Sequence, residues 1–161
     1  MKKVSLELYA VFCIGALSYG LIEVIERGYS HITMGVLGGL SMVSIHLLND
    51  DRRHGGSVIR LLLISSFFIT ALELLAGEIL NVYLEMDIWC YSGQALNFDG
   101  VICPYYTGYW LLLSLLGMIV DDLVRWRLFH QKLYLHFFRS RFFSKYSLGN
   151  FKVKRSSDLD V

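Results

Sequence analysis

The 161 residues include only 18% charged side chains and 55% apolar ones, with a mean hydropathy of +0.48 and a net charge of +1. Three cysteines are too few to staple a secreted disulfide scaffold of this length, and the 14% aromatic content excludes a disordered chain. A small soluble domain needs a mostly polar surface, so the length is better read as four membrane spans of roughly 20 residues with their connections.

Span one runs from about Leu6 to Ile25, broken only by Glu7 and Glu23. Span two covers about His31 to Leu48 without a single Lys, Arg, Asp or Glu. Span three extends from about Val58 to Leu80, with Arg60 near its start and Glu73 and Glu78 inside. Span four runs from about Tyr105 to Val124 and ends on Asp121 and Asp122. None alternates with the period of two that a barrel strand requires, so each is read as a helix. Spans two and four are expected to lack a polar face, which argues against a soluble helical bundle. The fold class is therefore all-α, a polytopic membrane protein with four transmembrane helices. Residues 1–124 form the transmembrane domain, with an extracytoplasmic loop at about 81–104, and residues 125–161 form a basic, aromatic tail.

The basic residues set the expected orientation. Lys2 and Lys3 precede span one, Arg52, Arg53 and Arg60 surround the second connection, and all the others except Arg27 follow span four. The positive-inside rule then places both termini in the cytoplasm. The loop at 81–104 contains Glu85, Asp87 and Asp99 but no Lys or Arg, which fits an outer face. Met1-Lys2-Lys3, an apolar run and Ala16-Leu17-Ser18 could instead form a cleaved signal peptide, a weak pattern here because the apolar run continues to Ile25.

Glu73 is the most informative single residue. At about 1.5 Å per residue it lies roughly 20 Å along the helix from Arg60, where a carboxylate must face the bundle, hold its proton or meet a donor. Glu23 lies at similar depth, with Arg27 one turn later as its natural partner. Glu23, Arg27, His31, Glu73 and Asn97 are expected to converge on an outward-facing polar pocket. Gly35, Gly38 and Gly39 in span two and Ala16 and Gly20 in span one let helices approach closely. Packing within the chain is preferred over a dimerisation face.

Cys90 and Cys103 could close a disulfide across the outer loop or remain free thiols. No His, Cys and acid spacing suggests a metal site, and no catalytic set or cofactor is expected. The tail holds Arg125-Trp126-Arg127 and later Phe137, Phe138, Phe142 and Phe143 among Lys and Arg. Such a segment suits the anionic lipids of an inner leaflet better than nucleic acid.

Span three and its loop read Thr70-Ala-Leu-Glu73-Leu-Leu-Ala-Gly77, Ile88-Trp89-Cys90-Tyr91-Ser92, Leu96-Asn97, Gly100-Val-Ile-Cys103-Pro104 and then Trp110. This resembles the bacterial membrane family labelled putative ABC-transporter type IV, also called putative ABC transporter permease. The resemblance rests on Glu73, Gly77, Trp89, Tyr91, Asn97, Gly100, Cys103 and Trp110, and extends more loosely to Tyr19-Gly20-Leu-Ile-Glu23 and Arg27-Gly28-Tyr29-Ser-His31. Cys90 stands where the family has Asp, and Leu96 replaces an aromatic. The resemblance implies a multi-pass protein of a bacterial plasma membrane that takes part in transport. No GxxxxGK[ST] occurs in the chain, so ATP-driven work would need a separate ATPase subunit. Four spans also suggest a homo-oligomer or another membrane partner. A small accessory or scaffold protein is the competing reading, with an intramembrane lipid-modifying enzyme behind it.

Overall fold

The computed structural model describes residues 2–133. Its four long helices are α1 (Lys2–Arg27), α2 (Ile32–Arg53), α3 (Val58–Gly77) and α4 (Pro104–Phe129). All four are long and apolar enough to cross a membrane, and the fold is all-α. Among the described residues no strand forms; the loop contains one isolated bridge between Phe98 and Ile102. The tail from residue 134 onward, including Phe137, Phe138, Phe142 and Phe143, lies outside the described residues.

Local chemistry explains the helix ends. His31 caps α2 by accepting from the Thr33 amide, and Pro104 opens α4 where a missing N–H costs nothing. His130 closes α4 in the left-handed region, at φ 52°. Span three departs from expectation: the α-helix stops at Gly77 and continues as a π-helical segment, Glu78–Tyr83. Spans two and four also run farther than their apolar stretches, to Arg53 and Phe129. Hydropathy marks where a helix contacts lipid, whereas the backbone ladder continues for as long as its polar residues find partners.

Helix α2 is the hub, packing on α1, α3 and α4, while α3 packs on α4. Helix α1 touches α4 lightly and does not reach α3. The α1–α2 contact depends on small residues. A Cβ on Gly38 would come within 2.9 Å of the Gly15 carbonyl oxygen, and one on Gly39 would strike the Phe12 ring at 2.6 Å. Gly38 and Gly39 therefore serve packing within the chain. Gly35 is different: a Cβ there would meet only ordinary contact, 3.7 Å from the Ala16 carbonyl.

Three apolar clusters fill the interior. Val11, Met42 and Val124 join α1, α2 and α4 at the basic end. Ile45, Leu61, Ile69, Trp110 and Met118 occupy the middle. Met34, Ile88, Trp89 and Val101 seat the loop on the opposite end.

Candidate functional site

The loop between the π-helical segment and α4 is built by its own polar groups. Asn81 clamps one end, donating to the Trp89 carbonyl (2.7 Å) and accepting from the Ile88 amide (2.8 Å). Asn97 closes the tip, donating to the Gln94 carbonyl (2.8 Å) and the Ser92 carbonyl (3.2 Å) while accepting from the Gly100 amide (3.1 Å). Gly100 sits at φ +68°, a conformation open to a residue without Cβ. The Trp89 indole donates to the Val101 carbonyl at 3.0 Å. Gly77 leaves the space these residues occupy, since a Cβ there would lie 3.0 Å from the Trp89 ring.

This docked loop aims Tyr91 at Glu73. The Tyr91 hydroxyl donates to Glu73 Oε1 at 2.8 Å, and the Trp110 indole of α4 donates to Oε2 at 2.9 Å. Burial and the adjacent Glu73 carboxylate push the Tyr91 hydroxyl well above the ordinary phenol range, so it stays a donor. Tyr91 also stacks on Tyr106, with centroids 4.3 Å apart. Glu73 is 5% exposed, and its exposed edge lines a cavity of about 230 Å³ bounded by all four helices. Apart from Glu73, Tyr19, Ser18 and Ser41, the walls are essentially apolar. Tyr19 reaches across from α1 to Trp110, with ring centroids 6.1 Å apart, and covers the loop end of this groove.

The expected five-residue pocket does not assemble as one site. Glu23 pairs with Arg27 and accepts from the Ser30 hydroxyl at 3.0 Å; Arg27 also donates to the Ile88 carbonyl at 2.9 Å. These residues tie α1 to the loop. His31 caps α2, and Asn97 shapes the loop tip. Of the five, Glu73 alone lines the cavity. Side chains that share one end of a bundle still bond the nearest available partner, side chain or backbone. Cys90 and Cys103 are free thiols rather than a disulfide. Cys90 is exposed and donates to Ser92 Oγ at 3.1 Å, whereas Cys103 is buried at the head of α4. Once ionised, the thiolate accepts from the Ser92 hydroxyl and amide instead, which lowers the Cys90 thiol below its ordinary range.

A second polar locus, at the basic end, contradicts the expectation that spans two and four are apolar all round. His46 Nδ1 bonds Asp121 at 2.6 Å, and Asn49 donates to Asp121 at 2.8 Å and to Asp122 at 3.3 Å. Arg52 pairs with Asp122, and Arg125 bonds Asp121 at 2.9 Å, Asp50 at 3.2 Å and the His46 carbonyl at 2.8 Å. Asn49, Asp121 and Asp122 are fully buried. One available sequence signal was the i,i+4 pair of Asp121 and Arg125 beside the Asn49-Asp50-Asp51-Arg52-Arg53 run. Among the described residues no cluster of His, Cys and acids is suited to a metal ion.

Four apolar helices around a buried carboxylate and a loop packed onto it define a multi-pass membrane protein of transporter-like build. The pattern of the family described as putative ABC-transporter type IV matches residues 11–143, and the chain belongs to that family. No curated protein and no solved structure matches the chain. The residues that carried the resemblance meet in space: Gly77, Trp89, Asn97 and Gly100 build the loop, and Tyr91 and Trp110 hold Glu73.

Proposed function

We propose that this protein is the membrane-embedded part of a transport system and that Glu73 is its substrate-contacting group. One observation carries the reading: a carboxylate lining an apolar cavity inside four spanning helices, held by one donor from the loop and one from α4. An ionisable side chain at such a depth is costly, and its common use is contact with a substrate, proton or ion. Four spans are few for alternating access, so the working unit is a homo-oligomer or a complex with a separate ATPase. In this reading the protein sits in a bacterial plasma membrane, as the family resemblance implies, with both termini cytoplasmic and the tail on anionic inner-leaflet lipids; the uneven placement of Lys and Arg supports that orientation.

The accessory reading has its own support, because Glu23, Arg27, His31 and Asn97 are all engaged in holding the chain together. Two measurements separate the readings. Purification in a mild detergent, with mass spectrometry of what copurifies, should yield a stoichiometric ATPase or a homo-oligomer. Flux in proteoliposomes of that assembly should be lost in Glu73→Gln. An assembly that moves no solute, with Glu73→Gln as active in cells as the parent, sinks the transport reading.

A further inference from the structure

The cavity at Glu73 has a shape and polarity that specify its occupant. Helix α1 packs closely on α2 but only lightly on α4, so the cavity is a groove with α2 as its floor, α1 as one wall and α3 and α4 as the other. At the basic end the lining residues Ile14, Met42 and Val120 belong to or pack on the Val11–Met42–Val124 cluster, and at the loop end Tyr19 packs near Trp110. Its α2 floor extends from Met34 to Ile45, roughly 17 Å at about 1.5 Å per residue. This length suits an alkyl chain rather than a compact solute. Ile22 of α1 and Leu116 of α4 both line the cavity and are exposed, so the groove opens between these two helices at the side of the bundle, which in a bilayer is lipid, and access is lateral.

At the loop end the groove presents one ionisable acid, Glu73. Among the described residues, no Lys, Arg or His is ion-paired with Glu73. Its partners are the neutral donors Tyr91 and Trp110, one on each oxygen. Each carboxylate oxygen can accept a second hydrogen bond, and a carboxylate in an apolar wall is stabilised most by a cation that also donates. Ser18 and Ser41 add two hydroxyls along the walls and no positive charge.

We infer that the groove binds a single-chain amphiphilic amine, its ammonium group on Glu73 and its alkyl chain along α2 between α1 and α4. The inference rests on the proposed role of Glu73 as a substrate contact, and it names the substrate class.

Photoactivatable dodecylammonium with a mid-chain diazirine provides the test, alongside the matching alcohol and carboxylate. The full chain is placed in phosphatidylcholine nanodiscs, and crosslinked residues are mapped by mass spectrometry. In the parent protein the amine should label groove residues such as Ser41, Leu113 and Val120 about tenfold more than the carboxylate, since a charge-assisted hydrogen bond is involved. Unlabelled dodecylammonium should compete. Glu73→Gln should bring amine labelling down to the alcohol's level. Ser18→Phe, which fills the groove from α1, should reduce labelling by all three probes, and Ser18→Ala should not. The comparison of probes on the parent needs no variant to fold. Equal labelling by amine and carboxylate overturns the inference. So does undiminished amine preference in Glu73→Gln, or labelling spread evenly over outward residues such as Leu17, Phe67 and Leu112. Groove labelling without flux overturns the transport reading alone; flux of another solute without groove labelling overturns this inference alone.

Discussion

Glu73 and Tyr91 show how much one side chain can depend on another placed far along the chain. Tyr91→Phe keeps the stack on Tyr106 but removes the hydroxyl donor from a buried carboxylate. It should lower stability by about 1–3 kcal/mol, the cost of an acceptor stripped of its partner, read as an earlier thermal unfolding midpoint in detergent. Cys90 offers a pH-dependent readout in the same loop. Its thiol is lowered by the Ser92 hydroxyl and amide, which donate to the thiolate, so more thiolate is present near neutral pH than for an ordinary cysteine. A charged maleimide should therefore modify Cys90 rapidly and leave buried Cys103 untouched. Ser92→Ala removes the hydroxyl, the larger of the two lowering causes, while leaving the amide at that position, so it raises the thiol and should shift the rise in labelling rate to higher pH. Equal rates in parent and variant at every pH would contradict the assignment. Applied to intact cells, the same reagent reports which side of the membrane the loop occupies.

Among the elements, the α1–α2 pair makes the sharpest distinction. Gly35 and Gly39 form the GxxxG spacing visible in the sequence, yet the tightest backbone approach is at Gly38 against Gly15. Gly38→Ala should destabilise the bundle by about 1–3 kcal/mol, because the added methyl meets a carbonyl oxygen that cannot rotate away. Gly35→Ala should be neutral or slightly stabilising, since its methyl finds ordinary contact and alanine favours helix. Unfolding of the two variants in a graded detergent series checks the order. The spacing was legible from sequence, but the register that selects one glycine over its neighbour is a property of two helices together. The π-helical turn at Glu78–Tyr83 was likewise hidden, because hydropathy is the same for either kind of helix.

For the molecule as a whole, the buried network at the basic end fastens α2 to α4 and closes the bundle opposite the loop. Asp122→Ala removes a buried partner of Arg52 and Arg53 and should cost about 3–5 kcal/mol, as breaking buried ion pairs does. Asp51→Ala removes the pair with Arg60, whose side chains are both more than half exposed, and should cost about 0–1 kcal/mol. Comparable losses in the two variants would mean that the buried network contributes no more than a surface pair. Arg52 and Arg125 therefore do more than encode topology, although their value to the positive-inside rule is unchanged.

The amino-acid order by itself determined the four spans, their approximate positions, the uneven placement of Lys and Arg, and the motif that marks the family. These properties are local or additive: a helix meets lipid through its own side chains, and charge can be counted along the chain. Tertiary structure alone decided which polar groups meet. His46 finds Asp121 across 75 positions of sequence, and Tyr91 reaches back across 18 to Glu73. Glu23 and Asn97, equally prominent in the sequence, spend their hydrogen bonds on nearby groups instead. A buried polar side chain bonds whichever donor or acceptor the packing brings within about 3 Å. That choice follows from helix rotation and register, which no single segment specifies.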